Sequence, residues 1–81
     1  MTVNGAVAKR VAKLLIEKNM SQYRLEQESG IQRGSMQCIM NGRNKTVTLS
    51  TVIMLARGFG MSVTEFLDDD IFSSADLELE R

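Results

Sequence analysis

Apolar residues recur at helical spacing in five short stretches of this chain, and asparagine or glycine closes the first four, a pattern that permits short helices packed on one another and little else. Val7, Val11, Leu14 and Leu15 form the first stripe, with Lys9, Arg10, Lys13 and Glu17 on other faces. Asn4 is its candidate N-cap and Asn19 its left-handed stop. Ser21 can cap a second helix that carries Leu25 and must end near Gly30. Ile31 then turns inward, and a third helix runs to Met40, with Met36, Ile39 and Met40 on one side and Arg33 and Gln37 on the other. Asn41-Gly42 ends it. Thr48 caps a fourth helix whose inward stripe is Val52, Leu55, Ala56 and Phe59, stopped by Gly60. Ser62 and Glu65 have the spacing of a capping box ahead of Phe66 and Leu67, a fifth, short helix. No useful period-two run appears and there is no proline, so the expected fold class is all-α.

A chain of 81 residues has room for one compact domain, and its function must be carried on the surface or by a partner. With no histidine, no tryptophan and a single cysteine, Cys38, it lacks the usual zinc ligands, the commonest general base and any Cys-His nucleophile pair. An enzyme reading is left with Asp68, Asp69 and Asp70 as a magnesium site. Three consecutive aspartates cannot all face one ion from a helix, and solvated charge is the expected role. No enzymatic activity and no cofactor are expected. The start of the chain lacks the uninterrupted apolar core of a signal peptide and no later run approaches membrane length, so a reducing cytoplasm is the expected location.

Net charge is zero, yet the charges are segregated. Residues 1–45 carry eight basic side chains against three acidic ones, and residues 46–81 carry two against seven. Such polarity lets a basic face meet phosphate while an acidic end points elsewhere.

The stretch SQYRLEQESGIQRGSMQCIMNG, from Ser21 to Gly42, supplies two short helices joined at a glycine, with modest apolar groups where the pair must cross. It resembles the Cro/repressor-like (xenobiotic-response-element, XRE) helix-turn-helix family, in Gln22 at the start of the second helix, Leu25 in the core, Gly30 in the turn, Met36 and Ile39 inside, and Asn41-Gly42 at the exit. The resemblance extends over residues 7–67, taking in TLSTVIMLARGFGMSVTEFL as the family's fourth and fifth helices. It implies a five-helix, lambda-repressor-like DNA-binding domain, with helices 2 and 3 as the helix-turn-helix and helix 3 lying in the major groove of double-stranded DNA.

By that resemblance the groove-facing positions are Gln32, Arg33, Gly34, Gln37 and Cys38. Arg33 can fork onto O6 and N7 of a guanine and Gln37 can pair with adenine edges, each contact worth about 1 to 3 kcal/mol of discrimination. Gly34 offers no side chain, which lets the backbone come close. Gln22 and Asn41 occupy the family's phosphate-binding positions, and Arg43, Lys45 and Arg10 are the added charges. Cys38 on that face admits oxidation as a switch, but a small side chain meeting a thymine methyl is the simpler expectation.

The chain departs from the family pattern at three positions. Glu26 stands where a small alanine is usual, with its carboxylate expected to bend outward. Met40 and Leu15 replace an acidic residue and its basic partner, a paired change that leaves no charge stranded.

The resemblance implies a transcriptional regulator, expected to act as a repressor and to bind a two-fold symmetric operator as a homodimer. Phe66, Leu67, Ile71 and Phe72 are candidates for the interface, with core packing the preferred role for Phe66 and Leu67. Residues 1–67 are expected to form the DNA-binding domain. The acidic tail, 68–81, is compatible with a turn capped by Ser74 and equally with a frayed or partner-ordered segment. A different reading makes the protein an antitoxin-like module whose tail captures a basic protein partner.

Overall fold

The computed structural model describes residues 1–43, 47–75 and 77–78. It holds five α-helices, α1 (Val3–Glu17), α2 (Gln22–Ser29), α3 (Arg33–Asn41), α4 (Leu49–Gly58) and α5 (Val63–Leu67), followed by a 3₁₀ turn at Asp70–Phe72. The all-α architecture with its helix-turn-helix is as the residue pattern implies.

Hydroxyl caps start four of the five α-helices. Ser21, Thr48 and Ser62 each accept the backbone amide three residues on, and Glu65 completes a capping box with Ser62. At α1 the cap is Thr2 rather than Asn4: Thr2 is extended and its Oγ1 accepts from the Gly5 amide at 3.0 Å, so the helix begins earlier and Asn4 falls inside its first turn. Left-handed residues close the other ends, Asn19 at φ 51° after α1 and Gly30 at φ 78° after α2.

The core forms where the stripes meet, α1 packing on α3, α2 on α4, and α4 on α5. Val7, Val11, Leu25, Met36, Leu55 and Phe66 are its largest fully buried side chains. Leu15 and Met40 are both partly buried against it. Leu67, expected in the core, is 40% exposed: in the short α5 the neighbouring Phe66 takes the inward direction and Leu67 is turned away from it.

The tail lies back across α1. Glu78 donates its amide to the Met1 carbonyl at 2.7 Å and pairs with Thr2 in an isolated parallel bridge. Asp69 starts the 3₁₀ turn by accepting the Ile71 amide at 3.0 Å, and no helix follows Ser74 among the described residues. Phe72 stacks at a tilt against Phe66, with ring centres 6.2 Å apart.

Arg10 and Lys13 reach Asp69 Oδ2 from α1 at 3.3 and 3.2 Å. The hydrogen bond donated by the Ile71 amide, helped by Lys13 and Arg10 and opposed by partial burial, holds the Asp69 carboxyl below its usual 3.8. A carboxyl whose folded value is depressed stabilises the fold fully above the unfolded value, and that contribution disappears as pH falls through the lowered one. Stability should therefore decline on acidification below pH 3.8, and Asp69→Asn should be less stable at neutral pH with a flatter acid limb in urea titrations. Parallel acid limbs for the two proteins would show that Asp69 does not carry this dependence.

Candidate nucleic-acid interface

The turn between α2 and α3 is only Gly30, Ile31 and Gln32. Gly30 reverses the chain in a left-handed conformation, its amide donating to the Glu26 carbonyl, and Ile31 is buried at 7% exposure. That apolar anchor, with Met36 and Ile39 buried at one and two turns' distance, commits one face of α3 to the core.

The opposite face of α3 is bare. Gln32, Arg33, Gly34, Gln37 and Cys38 are all exposed, and Arg33 and Gln37 lie one turn apart along the same ridge. Arg33 keeps 64% of its side chain accessible. Gln32 and Gln37 make no side-chain hydrogen bond among the described residues, so their amides are available to a ligand. Nothing lies within 4 Å of where a Cβ would stand on Gly34. The fold itself therefore does not demand a glycine there.

Glu26 is buried at 8% exposure rather than bent outward. It sits one turn after Gln22 on α2, and the short turn brings the start of α3 beside it. Its Oε2 accepts from Gln22 Nε2 at 3.1 Å and its Oε1 from Arg33 Nε at 3.4 Å. The two donors explain why the carboxylate faces inward: burial of a charge is tolerated when it is paired and hydrogen-bonded.

Gln22 is half-buried at the start of α2. Asn41 is exposed as the last residue of α3, and Arg43 is exposed beyond the left-handed Gly42. Lys45 lies outside the described residues. Arg10 corrects the sequence reading: its guanidinium is turned inside, 8% exposed, donating from Nε to the Phe66 carbonyl at 2.8 Å and from Nη2 to the Glu65 carbonyl at 3.0 Å besides pairing with Asp69. Three acceptors from the end of α5 and the tail outcompete solvent for it, so it is withdrawn from the set of charges offered to phosphate. Asp69 is taken by Arg10 and Lys13, while Asp68 and Asp70 are exposed. The free thiol of Cys38 is exposed.

Gly58, near the end of α4, has a role the sequence reading did not assign. A Cβ there would stand 2.8 Å from Ser29 Cβ and 2.9 Å from Leu25 Cδ1, so α2 crosses α4 at backbone distance. A glycine inside a helical stripe is the local sign of such an approach. Through that crossing α4 sets the position of α2, and α2 sets where the turn releases α3.

Two short helices joined by a three-residue turn, the second packed on one face and exposed on the other, have the geometry of a helix-turn-helix. The model of the Cro/C1-type HTH DNA-binding domain matches residues 10–70, and the chain belongs to that family. No curated protein and no solved structure matches the chain. No helix among the described residues is long and apolar enough to cross a membrane.

Proposed function

We propose that the protein is a sequence-specific regulator, acting as a repressor, that inserts α3 into the major groove of its operator as a homodimer. The observation that carries this reading is the bare ridge of Arg33 and Gln37 on a helix whose other side, through Met36 and Ile39, is locked in the core. Arg33 reads guanine and Gln37 adenine, with Gln32 and Cys38 beside them. Gln22, Asn41, Arg43 and Lys45 take phosphates on either side. The exposed Leu67 at the end of α5, together with half-buried Ile71 and Phe72, supports an interface there between two copies. Capture of a basic protein by the acidic tail is the weaker reading, because Asp69 is already engaged by Arg10 and Lys13.

Selection of bound duplexes from a random library tests the proposal, since it returns base preference, symmetry and half-site spacing together. On the selected site Arg33→Ala should relax the preference at one base pair. Arg43→Ala should weaken matched and scrambled DNA alike and reduce the slope of log affinity against log salt by about 1. Equal losses on both DNAs for Arg33→Ala would refute the division of labour.

Gly34→Ala separates folding from binding at the same surface. Because the added methyl meets nothing within the protein, helix propensity should leave the fold as stable or up to about 1 kcal/mol more stable. Affinity for the selected site should nevertheless fall, because the methyl occupies the closest approach to DNA. Unchanged affinity would mean that α3 keeps its distance at that point.

A further inference from the structure

We propose that Glu26 is a specificity-determining positioning residue: one buried carboxylate that holds Arg33 and Gln22 in a fixed relation, so that the base reader and the phosphate anchor act as a unit. The proposal rests on the DNA-binding reading above and deepens it.

The geometry is that of a divided carboxylate. Each oxygen of Glu26 serves a different helix, Oε2 holding Gln22 of α2 and Oε1 holding Arg33 of α3. No buried side-chain nitrogen or oxygen lacks a hydrogen-bond partner among the described residues, and for Glu26 these two donors are what satisfies it. A carboxylate at 8% exposure resists losing either one. Arg33 itself is largely exposed and, without this tether, would sample many rotamers.

The tether also selects how Arg33 is presented. A guanidinium has five N–H donors in one plane. Engagement of Nε by Glu26 at 3.4 Å restrains that plane and leaves the Nη1 and Nη2 donors, the end-on fork that fits guanine O6 and N7, free of the carboxylate. Gln22 is constrained in the same way: one amide hydrogen is spent on Glu26, and the other remains for a phosphate.

The charge has a second effect. A carboxylate beside Arg33 offsets part of its attraction for any phosphate, whatever the sequence. Glu26 therefore lowers binding to unmatched DNA while sharpening the choice of base, and removing it should move the two properties in opposite directions. A merely structural residue would weaken both together.

The test compares wild type, Arg33→Ala, Glu26→Ala, Glu26→Gln and the Glu26→Ala/Arg33→Ala double variant. They are measured on duplexes from the selected site that differ only at the pair where Arg33→Ala relaxes preference, and on a scrambled duplex. Glu26→Ala should lose about tenfold in preference at that same pair, the lower part of the range for one bidentate contact because the reader is loosened rather than removed, while binding scrambled DNA at least as tightly as wild type. The double variant should discriminate no worse than Arg33→Ala alone. Glu26→Gln, which keeps the shape and an acceptor oxygen, should fall between wild type and Glu26→Ala.

Wild-type preference retained in Glu26→Ala, or a loss that multiplies with that of Arg33→Ala, overturns the proposal. If Glu26→Ala fails to fold, Glu26→Gln carries the comparison. Nitrogen-15 relaxation at Arg33 Nε without DNA gives a separate readout, expected to be rigid in wild type and mobile in the Glu26 variants. A mobile Arg33 Nε in wild type overturns the tether. A rigid one with no base preference lost in Arg33→Ala instead sinks the DNA-reading assignment, and with it Glu26's role in specificity.

Discussion

Arg10→Met should cost the fold about 2 to 4 kcal/mol, the effect of leaving two carbonyls at a helix end without their charged donor. Methionine fills much of the same space, so the loss isolates the guanidinium. Without it, the carbonyls of Glu65 and Phe66 at the end of α5 lose their donors, and Asp69 keeps only Lys13, whose side chain is 57% exposed. Carbonyls at a helix end need a partner, and a cation there also complements the helix dipole. The guanidinium also sits 6.0 Å from the centre of the fully buried Phe66 ring, so its removal loosens the packing of α5. For a domain with a total stability of about 5 to 15 kcal/mol this is a large fraction, readable as a lower urea midpoint. The salt dependence of DNA binding by the folded fraction should stay as in wild type, because Arg10 does not face solvent. An unchanged midpoint together with a reduced salt slope would return Arg10 to the phosphate-binding set.

Gly58→Val should be comparably damaging, at about 3 kcal/mol, the upper part of the range for overpacking. The first added carbon already meets Ser29 Cβ at 2.8 Å, Leu25 Cδ1 at 2.9 Å and Ser29 Cα at 3.2 Å. Leu25 can change rotamer, but the backbone of α2 cannot yield without moving the helix. Since α2 carries Gln22 and Glu26, that displacement should also weaken discrimination on the selected DNA site. Thermal melting and binding measured on the same variant check both effects. A melting temperature equal to wild type would mean that the two helices do not meet closely in solution. Gly34→Ala, where a methyl meets open space, is the matching control.

The legible and the hidden parts of this protein differ by the range of the interactions that set them. Ser21, Thr48 and the Ser62-Glu65 box were readable because a cap bonds the amide three residues on and nothing further away. Thr2 and Asn4 both have capping side chains, and the choice between them rested on where the first turn closes. The bare ridge of Arg33 and Gln37 followed from the apolar register of Met36 and Ile39. The place of Arg10 is hidden for the opposite reason. Its acceptors Phe66, Glu65 and Asp69 are 56, 55 and 59 residues away in the chain, and its own helix gives no sign of them. By local pattern Glu26 is a misfit against the third helix, and only the packing of that helix brings Arg33 to its oxygen.

From sequence alone come the order of the five helices, most of their ends and the exposed face of the third, because periodicity and capping act within a turn or two of the chain. The tertiary structure alone decided that Arg10 clamps the tail, that Glu26 is buried between two donors and that α2 crosses α4 at Gly58. Those outcomes depend on which faces meet, and a side chain's partners across such a contact leave no trace in its neighbours along the chain.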